Sequence, residues 1–200
     1  MATIDPRTIR LRHGNACLVR TAVEADAQAM VEHQGHMVRT DPNTVSEPDD
    51  QRRTVDEQRE AIAAARREDG HLMLVAVQGE HGPVLGALSF RNGDRRKVRH
   101  HGHFGISVDA DWRGKGVGSA LITTLLDWAA AHPVIEKVCL GALETNTGAR
   151  RLYERLGFVL EHVSPRHFKL GPGRYVADIW MAIYVKPGVA PREFRTWAGS

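Results

Sequence analysis

The sequence predicts an α/β fold: a mixed, mostly antiparallel sheet of about seven strands with helices on both faces. Apolar, β-branched runs alternate with segments of helical periodicity in the order βααβββαβαββ. Short turn sequences, Gln78-Gly79-Glu80-His81-Gly82-Pro83 and Asn92-Gly93-Asp94, separate three of the runs and mark antiparallel hairpins. A glycine-rich stretch from Arg113 to Gly118 joins the end of an apolar strand to the start of an amphipathic helix.

The elements follow in order. Residues 1–15 are polar and poorly patterned, an extension able to add one short strand. Ala16 to Arg20 reads as a strand, Val23 to Val38 as a helix, and the proline-containing stretch Thr40 to Asp50 as a loop. A second helix spans about Thr54 to Arg67, opened by a Thr54-x-x-Glu57 capping box and ended by Gly70. Leu72 to Val77, Val84 to Phe90 and about Val98 to Val108 are strands. The helix 116–131 is stopped by His132-Pro133. Lys137 to Leu143 is a strand, Thr147 to Leu156 a helix closed by Gly157, and Phe158 to Val163 and Tyr175 to Val185 are the last strands. This gives one domain over 16–185, a 1–15 extension and a 186–200 tail.

Composition narrows the function classes. A 200-residue chain with 42% hydrophobic and 26% charged residues is ordinary for a globular domain. No run has the length of a membrane span and none resembles a signal peptide, so no membrane association is expected. A net charge of +3 is too small to argue for nucleic acid, and the basic run Arg91 to His101 reads as a solvated hairpin turn. Cys17 and Cys139 sit in apolar strand-like segments; two buried free thiols agree with a reducing cytoplasm.

The glycine stretch carries the chemistry. Gly114, Gly116 and Gly118 let the backbone turn sharply and present the amides of Gly114, Lys115, Gly116, Val117, Gly118 and Ser119 without Cβ atoms in the way. At a helix N-terminus such donors meet the positive end of the macrodipole, which suits a phosphate or pyrophosphate. Arg113 and Lys115 add cations. A P-loop fails on spacing, because Asp109 stands where its first glycine belongs and Gly116 where Ser or Thr is required. A dinucleotide fingerprint comes nearer, with Ser119 as the third small residue, but that fold places the loop after its first parallel strand, whereas a hairpin precedes it here.

A second constellation, Asn146-x-x-Ala149-x-x-Leu152-Tyr153-x-x-x-Gly157-Phe158, follows the next strand. Together with Arg113-x-x-Gly116-x-Gly118, it resembles the GCN5-related N-acetyltransferase (GNAT) superfamily. Leu18-Val19-Arg20-x-Ala22 with Asp26 is similar to the family's first strand and helix start. Gly173-x-Tyr175-x-x-Asp178-x-x-Met181 is similar to the closing strand of its ribosomal-protein and small-amine branches. The resemblance covers about residues 16–185.

It implies an acetyl-CoA-dependent N-acetyltransferase acting on a primary amine by direct attack in a ternary complex. Its pyrophosphate would lie on 113–118, its pantetheine arm along the backbone of Ile106, Ser107 and Val108, and Asn146 would hold the cofactor arm or the acceptor. Tyr153 would protonate the departing thiolate, and an N–H of the pantetheine strand would hold the oxyanion. An alkyl ammonium has a pKa near ~10, so a base or desolvating pocket must free its lone pair. Glu144 is the first candidate base, His103 the second and Asp178 the third. Arg151 and Arg155 read as solvated helix charges with a lesser role toward the cofactor's phosphates. His101 and His103 share a strand face, but no carboxylate or cysteine stands at ligand spacing from them, so no metal is expected.

Residues 41–60 hold seven acids against three arginines, a balance of −4. In the family this region forms one wall of the acceptor site, so an acidic wall would favour a cationic acceptor; a solvated loop explains the charge equally well. The tail with Pro187, Pro191, Phe194 and Trp197 docks either on its own domain or on a second subunit, as in a homodimer. Two other classes fit less of the sequence: a CoA-binding module without turnover, which has no need of Tyr153, and a dinucleotide-binding oxidoreductase.

Overall fold

The computed structural model describes residues 3–197 and Gly199, apart from Arg52, His81, Glu193 and Arg195. Two residues of the sequence reading, His81 of the expected hairpin turn and Arg52 of the acidic region, therefore lie outside the described residues. The chain is an α/β fold with a mixed, mostly antiparallel sheet. It has eight strands where about seven are expected, because Arg7–Arg10 (β1) pairs antiparallel with Ala16–Thr21 (β2). The chain divides into two compact units, Met1–Arg91 with Ile106–Leu125, and Asn92–Gly105 with Leu126–Ser200.

In the first unit, β2 pairs with His71–Val77 (β3), and β3 with Val84–Asn92 (β4), all antiparallel. Helix α1 spans Ala27–Thr40, entered through a single 3-10 turn at Glu24–Asp26, so it starts later than its periodicity suggests. Asp26 explains the delay. Its carboxylate accepts from the Val23 N–H (2.8 Å) and from both terminal nitrogens of Arg20 (2.6 and 2.8 Å), fixing the entry turn. Helix α2, Val55–Arg67, opens on the expected capping box: Thr54 Oγ1 accepts from Glu57 N–H and the Glu57 carboxylate from Thr54 N–H. Ala22, Ala27, Ile62, Val75 and Val77 form a core here, with Leu18, Met30 and Val55 against it.

In the second unit, the start of His101–Val108 (β5) runs parallel to Lys137–Leu143 (β6), with His101 beside Lys137, Gly102 beside Val138 and His103 beside Cys139. Strand β6 pairs antiparallel with Arg174–Tyr184 (β8), and β8 with Val159–Gly171 (β7). Strand β7 runs eight residues past its expected end at Val163. Register shifts between Ser164 and Phe168, and a left-handed Arg166 (φ 56°), break the alternation that would have revealed it. Residues 98–100 form a turn ahead of β5, with Val98 and Arg99 N–H both donating to Arg95 C=O. Helix α4 spans Thr147–Arg155. The tail docks on its own unit: Trp197 N–H donates to Tyr184 C=O (2.7 Å), and its indole N–H to Asp127 (3.1 Å). Helix α3, Val117–Ala131, and strand β5 each contribute residues to both units. No helix among the described residues is long and apolar enough to cross a membrane.

Candidate active site

The glycine loop lies in the first unit between β5 and α3. Asp109 ends the strand and caps the turn that follows, accepting from Asp111 N–H through its carboxylate (3.0 Å) and from Trp112 N–H through its carbonyl (2.9 Å). Gly114 (φ 70°) and Gly116 (φ 111°) then occupy the left-handed region that disfavours a Cβ. A Cβ at Gly114 would meet nothing within 4 Å, so conformation and not crowding requires glycine there. The first closed turn of α3 begins with Ala120 N–H donating to Gly116 C=O (2.9 Å). The amides of Val117, Gly118 and Ser119 precede that bond and belong to the helix's orphan donors. The loop is thus an open cradle of N–H groups at a positive helix end, the chemistry a diphosphate requires.

The two loop cations differ. Lys115 Nζ lies 4.9 Å from the centre of the Trp112 ring. Arg113 is committed to the protein: its Nε donates to Val108 C=O (3.0 Å) and its terminal nitrogen to Asp41 (2.9 Å). Its guanidinium therefore braces the end of β5 and the end of α1. Asp41 is also drawn out of the acidic region. Asp50 accepts from Glu47 N–H, Asp56 pairs with Arg59, and Glu57 closes the capping box, so three of the seven carboxylates there have local partners and Asp41 a distant one.

The expected pantetheine strand ends in Ile106, Ser107 and Val108, beyond the last β6 pairing at His103. Ser107 Oγ is 2.9 Å from Nε2 of His33, a ring only 7% exposed on α1. Burial holds the imidazole below its ordinary pKa, His36 adds to this, and Asp109 opposes it, so His33 is neutral. Sequence reasoning misses His33, because 74 residues separate it from Ser107 and nothing local marks it.

In the second unit, Asn146 Oδ1 accepts from Ala149 N–H (3.2 Å) as the N-cap of α4, leaving its amide NH2 for other partners. Tyr153 is 6% exposed and packs edge-on to Phe104 (6.2 Å between centres) and Phe158 (6.0 Å). Burial pushes its phenol up to about 12, so it stays protonated at neutral pH. Glu144 is exposed at the end of β6, its N–H bonded to Ala177 C=O (3.0 Å). His103 packs edge-on to Trp180 (5.1 Å) beside Cys139. Consecutive strand residues point to opposite faces. His103 thus lies on the face of β5 opposite Phe104, the ring that Tyr153 touches, and the structure does not bring His103 and Tyr153 together. Asp178 is 4% exposed, with one oxygen 3.9 Å from His167 Nε2. Arg155 donates to the Arg151 carbonyl and both side chains stay on the outside of α4.

Comparison with known proteins agrees with this arrangement. The acetyltransferase (GNAT) family matches residues 36–158. The chain is 33% identical over 153 residues to the L-amino acid N-acyltransferase MnaT of Escherichia coli K12, covering 74% of this chain and 83% of that protein. It is 30% identical over 101 residues to the L-amino acid N-acetyltransferase AaaT of the same organism, covering 50% and 62%. Four of the curated relatives are spanned by this chain over only 19–62% of their length. Among solved structures, yncA of Salmonella typhimurium, with its cofactor acetyl-CoA, superposes with a TM-score of 0.75 at 25% identity over 88% of this chain and 98% of that one. Loop, strand order and family match agree, and this chain belongs to the acetyltransferase (GNAT) family.

Proposed function

We propose that the protein is an acetyl-CoA-dependent N-acetyltransferase whose acceptor is the amino group of a small molecule, with L-amino acids as the first class to test. The observation that carries this is the open amide cradle formed by Gly114 and Gly116 ahead of α3, in a chain of this family. Acetyl-CoA, when bound, supplies an activated acetyl thioester.

The chain's own groups take the remaining roles. Backbone N–H groups of 114–119 hold the diphosphate, and Lys115 adds a cation. The backbone of Ile106, Ser107 and Val108 aligns the pantetheine arm, and one N–H there steadies the developing oxyanion. Tyr153, held protonated by burial, donates from its hydroxyl and cannot act as a base near neutral pH. Glu144 takes the base role, directly or through water, because it is exposed and lies two residues before the Asn146 cap. The names of MnaT and AaaT support an L-amino acid acceptor. The pairing of Asp41 with Arg113 offsets one of the acidic charges that would favour a cationic one. The site is read as cytoplasmic.

The test is thiol release from acetyl-CoA across a panel of L-amino acids and polyamines. Turnover with at least one α-amino acid is expected, with polyamines poorer and their KM insensitive to salt. Tyr153→Phe should lower kcat by ~10²–10⁴-fold while CoA binding persists. A panel that releases no thiol above background, or full turnover by the Phe variant, overturns the assignment.

A further inference from the structure

His101 and His103 stand two residues apart on one face of β5, and the parallel register sets His103 beside Cys139 of β6. Linear spacing conceals this third group, since only the strand pairing delivers it. One ligand atom from each residue, an imidazole nitrogen from each histidine and the thiol sulfur, lies within 4.8 Å of the others. Among the described residues no other set of three or more His, Cys, Asp or Glu side chains converges in this way. We propose that His101, His103 and Cys139 form a binding site for a thiophilic divalent metal ion, zinc being the best match.

The donor set selects the metal class. One thiolate and two neutral imidazoles are the ligands of zinc, whereas oxygen-seeking magnesium or calcium would find no carboxylate among the three. Tetrahedral zinc wants bonds of roughly 2.0–2.3 Å. The three ligand atoms lie within 4.8 Å of one another, and side-chain rotation would have to bring them to that distance from one ion. The site is graded in exposure, Cys139 buried, His101 half-buried and His103 exposed, so an ion can enter from the His103 side and keep water as its fourth ligand. Binding requires Cys139 to release its proton to solvent as the metal–sulfur bond forms.

The surroundings balance the charge. Lys137, paired with Glu161, sits within electrostatic range of Cys139 and both histidines, and so does Glu161. The Lys137 cation opposes the metal and the Glu161 carboxylate offsets it. Trp180, edge-on to His103 and stacked on His162 (5.5 Å, 11°), limits how far the His103 ring can turn.

The probe is cobalt(II), added to the chelator-treated 200-residue chain, followed by displacement with zinc. One equivalent of cobalt should give a thiolate-to-metal charge-transfer band that zinc abolishes. Cys17→Ser should keep the band, Cys139→Ser should lose it, and His103→Ala should weaken binding at least ~100-fold, more than the loss of an outer hydrogen-bond partner costs. His103 is exposed, so that variant remains informative even where Cys139→Ser fails to fold. The absence of a thiolate band at one equivalent overturns the proposal. So does a band that survives in Cys139→Ser, or undiminished affinity in His103→Ala.

Discussion

At the scale of single residues, His33 shows how burial and one hydrogen bond set a charge state. Desolvation holds its folded pKa below the ordinary value of 6.5; His36 adds to this and Asp109 partly resists it. The native state thus binds this proton less readily than the unfolded chain does. The resulting stability is fully present above the unfolded pKa and is lost as pH falls through about 6.5 toward the folded value. Each proton taken up only on unfolding steepens the loss by ~1.4 kcal/mol per pH unit at most. His33→Gln, which keeps a hydrogen-bonding group near Ser107, should be less stable than wild type at neutral pH yet lose less on acidification. Urea midpoints at several pH values read this directly, and parallel pH profiles for the two proteins would refute it. None of this was legible in the sequence. Pairings such as His33 with Ser107 or Asp41 with Arg113 span 74 and 72 residues and leave no local pattern. Tyr153 and Asn146, by contrast, were legible because the Asn146-x-x-Ala149-x-x-Leu152-Tyr153 stretch resembles the family's motif, and of the two only the Asn146 cap follows from local helix geometry.

At the scale of elements, the glycine loop is set by backbone conformation. Gly116 sits at φ +111° with only Leu11 Cδ2 near a Cβ position, at 3.6 Å. Gly116→Ala therefore meets strain more than collision, at a cost of about 1–3 kcal/mol. It also tilts the amides that open α3, so CoA affinity should fall by more than the stability loss alone implies. Chemical denaturation and CoA titration of the same variant separate the two effects; unchanged CoA affinity would rule out the loop as the diphosphate cradle. Strand and helix boundaries followed the sequence closely wherever one period persisted, as in Lys137–Leu143 and Val55–Arg67. They were lost where a bulge broke the period. β7 passes through Arg166 and two register shifts before Gly171, so its second half has no alternation to read. The β5–β6 register is hidden for another reason: a parallel pair joined through a helix carries no turn signal to fix it.

For the molecule as a whole, ligand binding should appear as stability. A ligand that binds only the native state at 100 times its Kd adds ~2.7 kcal/mol. For a chain of 200 residues each kcal/mol moves the melting temperature by about 2–4 °C, so saturating CoA should raise it by ~5–11 °C. NAD and ATP share a diphosphate with CoA but not its pantetheine arm, so a bare phosphate cradle would respond alike to all three. A cradle continued by the Ile106–Val108 strand should respond to CoA far more strongly. The shape of the transition is informative as well. The loop belongs to the unit formed by 1–91 and 106–125. If the two units melt as one cooperative body, a single transition moves; if they melt separately, only the one reporting on that unit shifts. A larger shift with NAD than with CoA would reject the acetyl-CoA assignment and return the glycine loop to the dinucleotide reading.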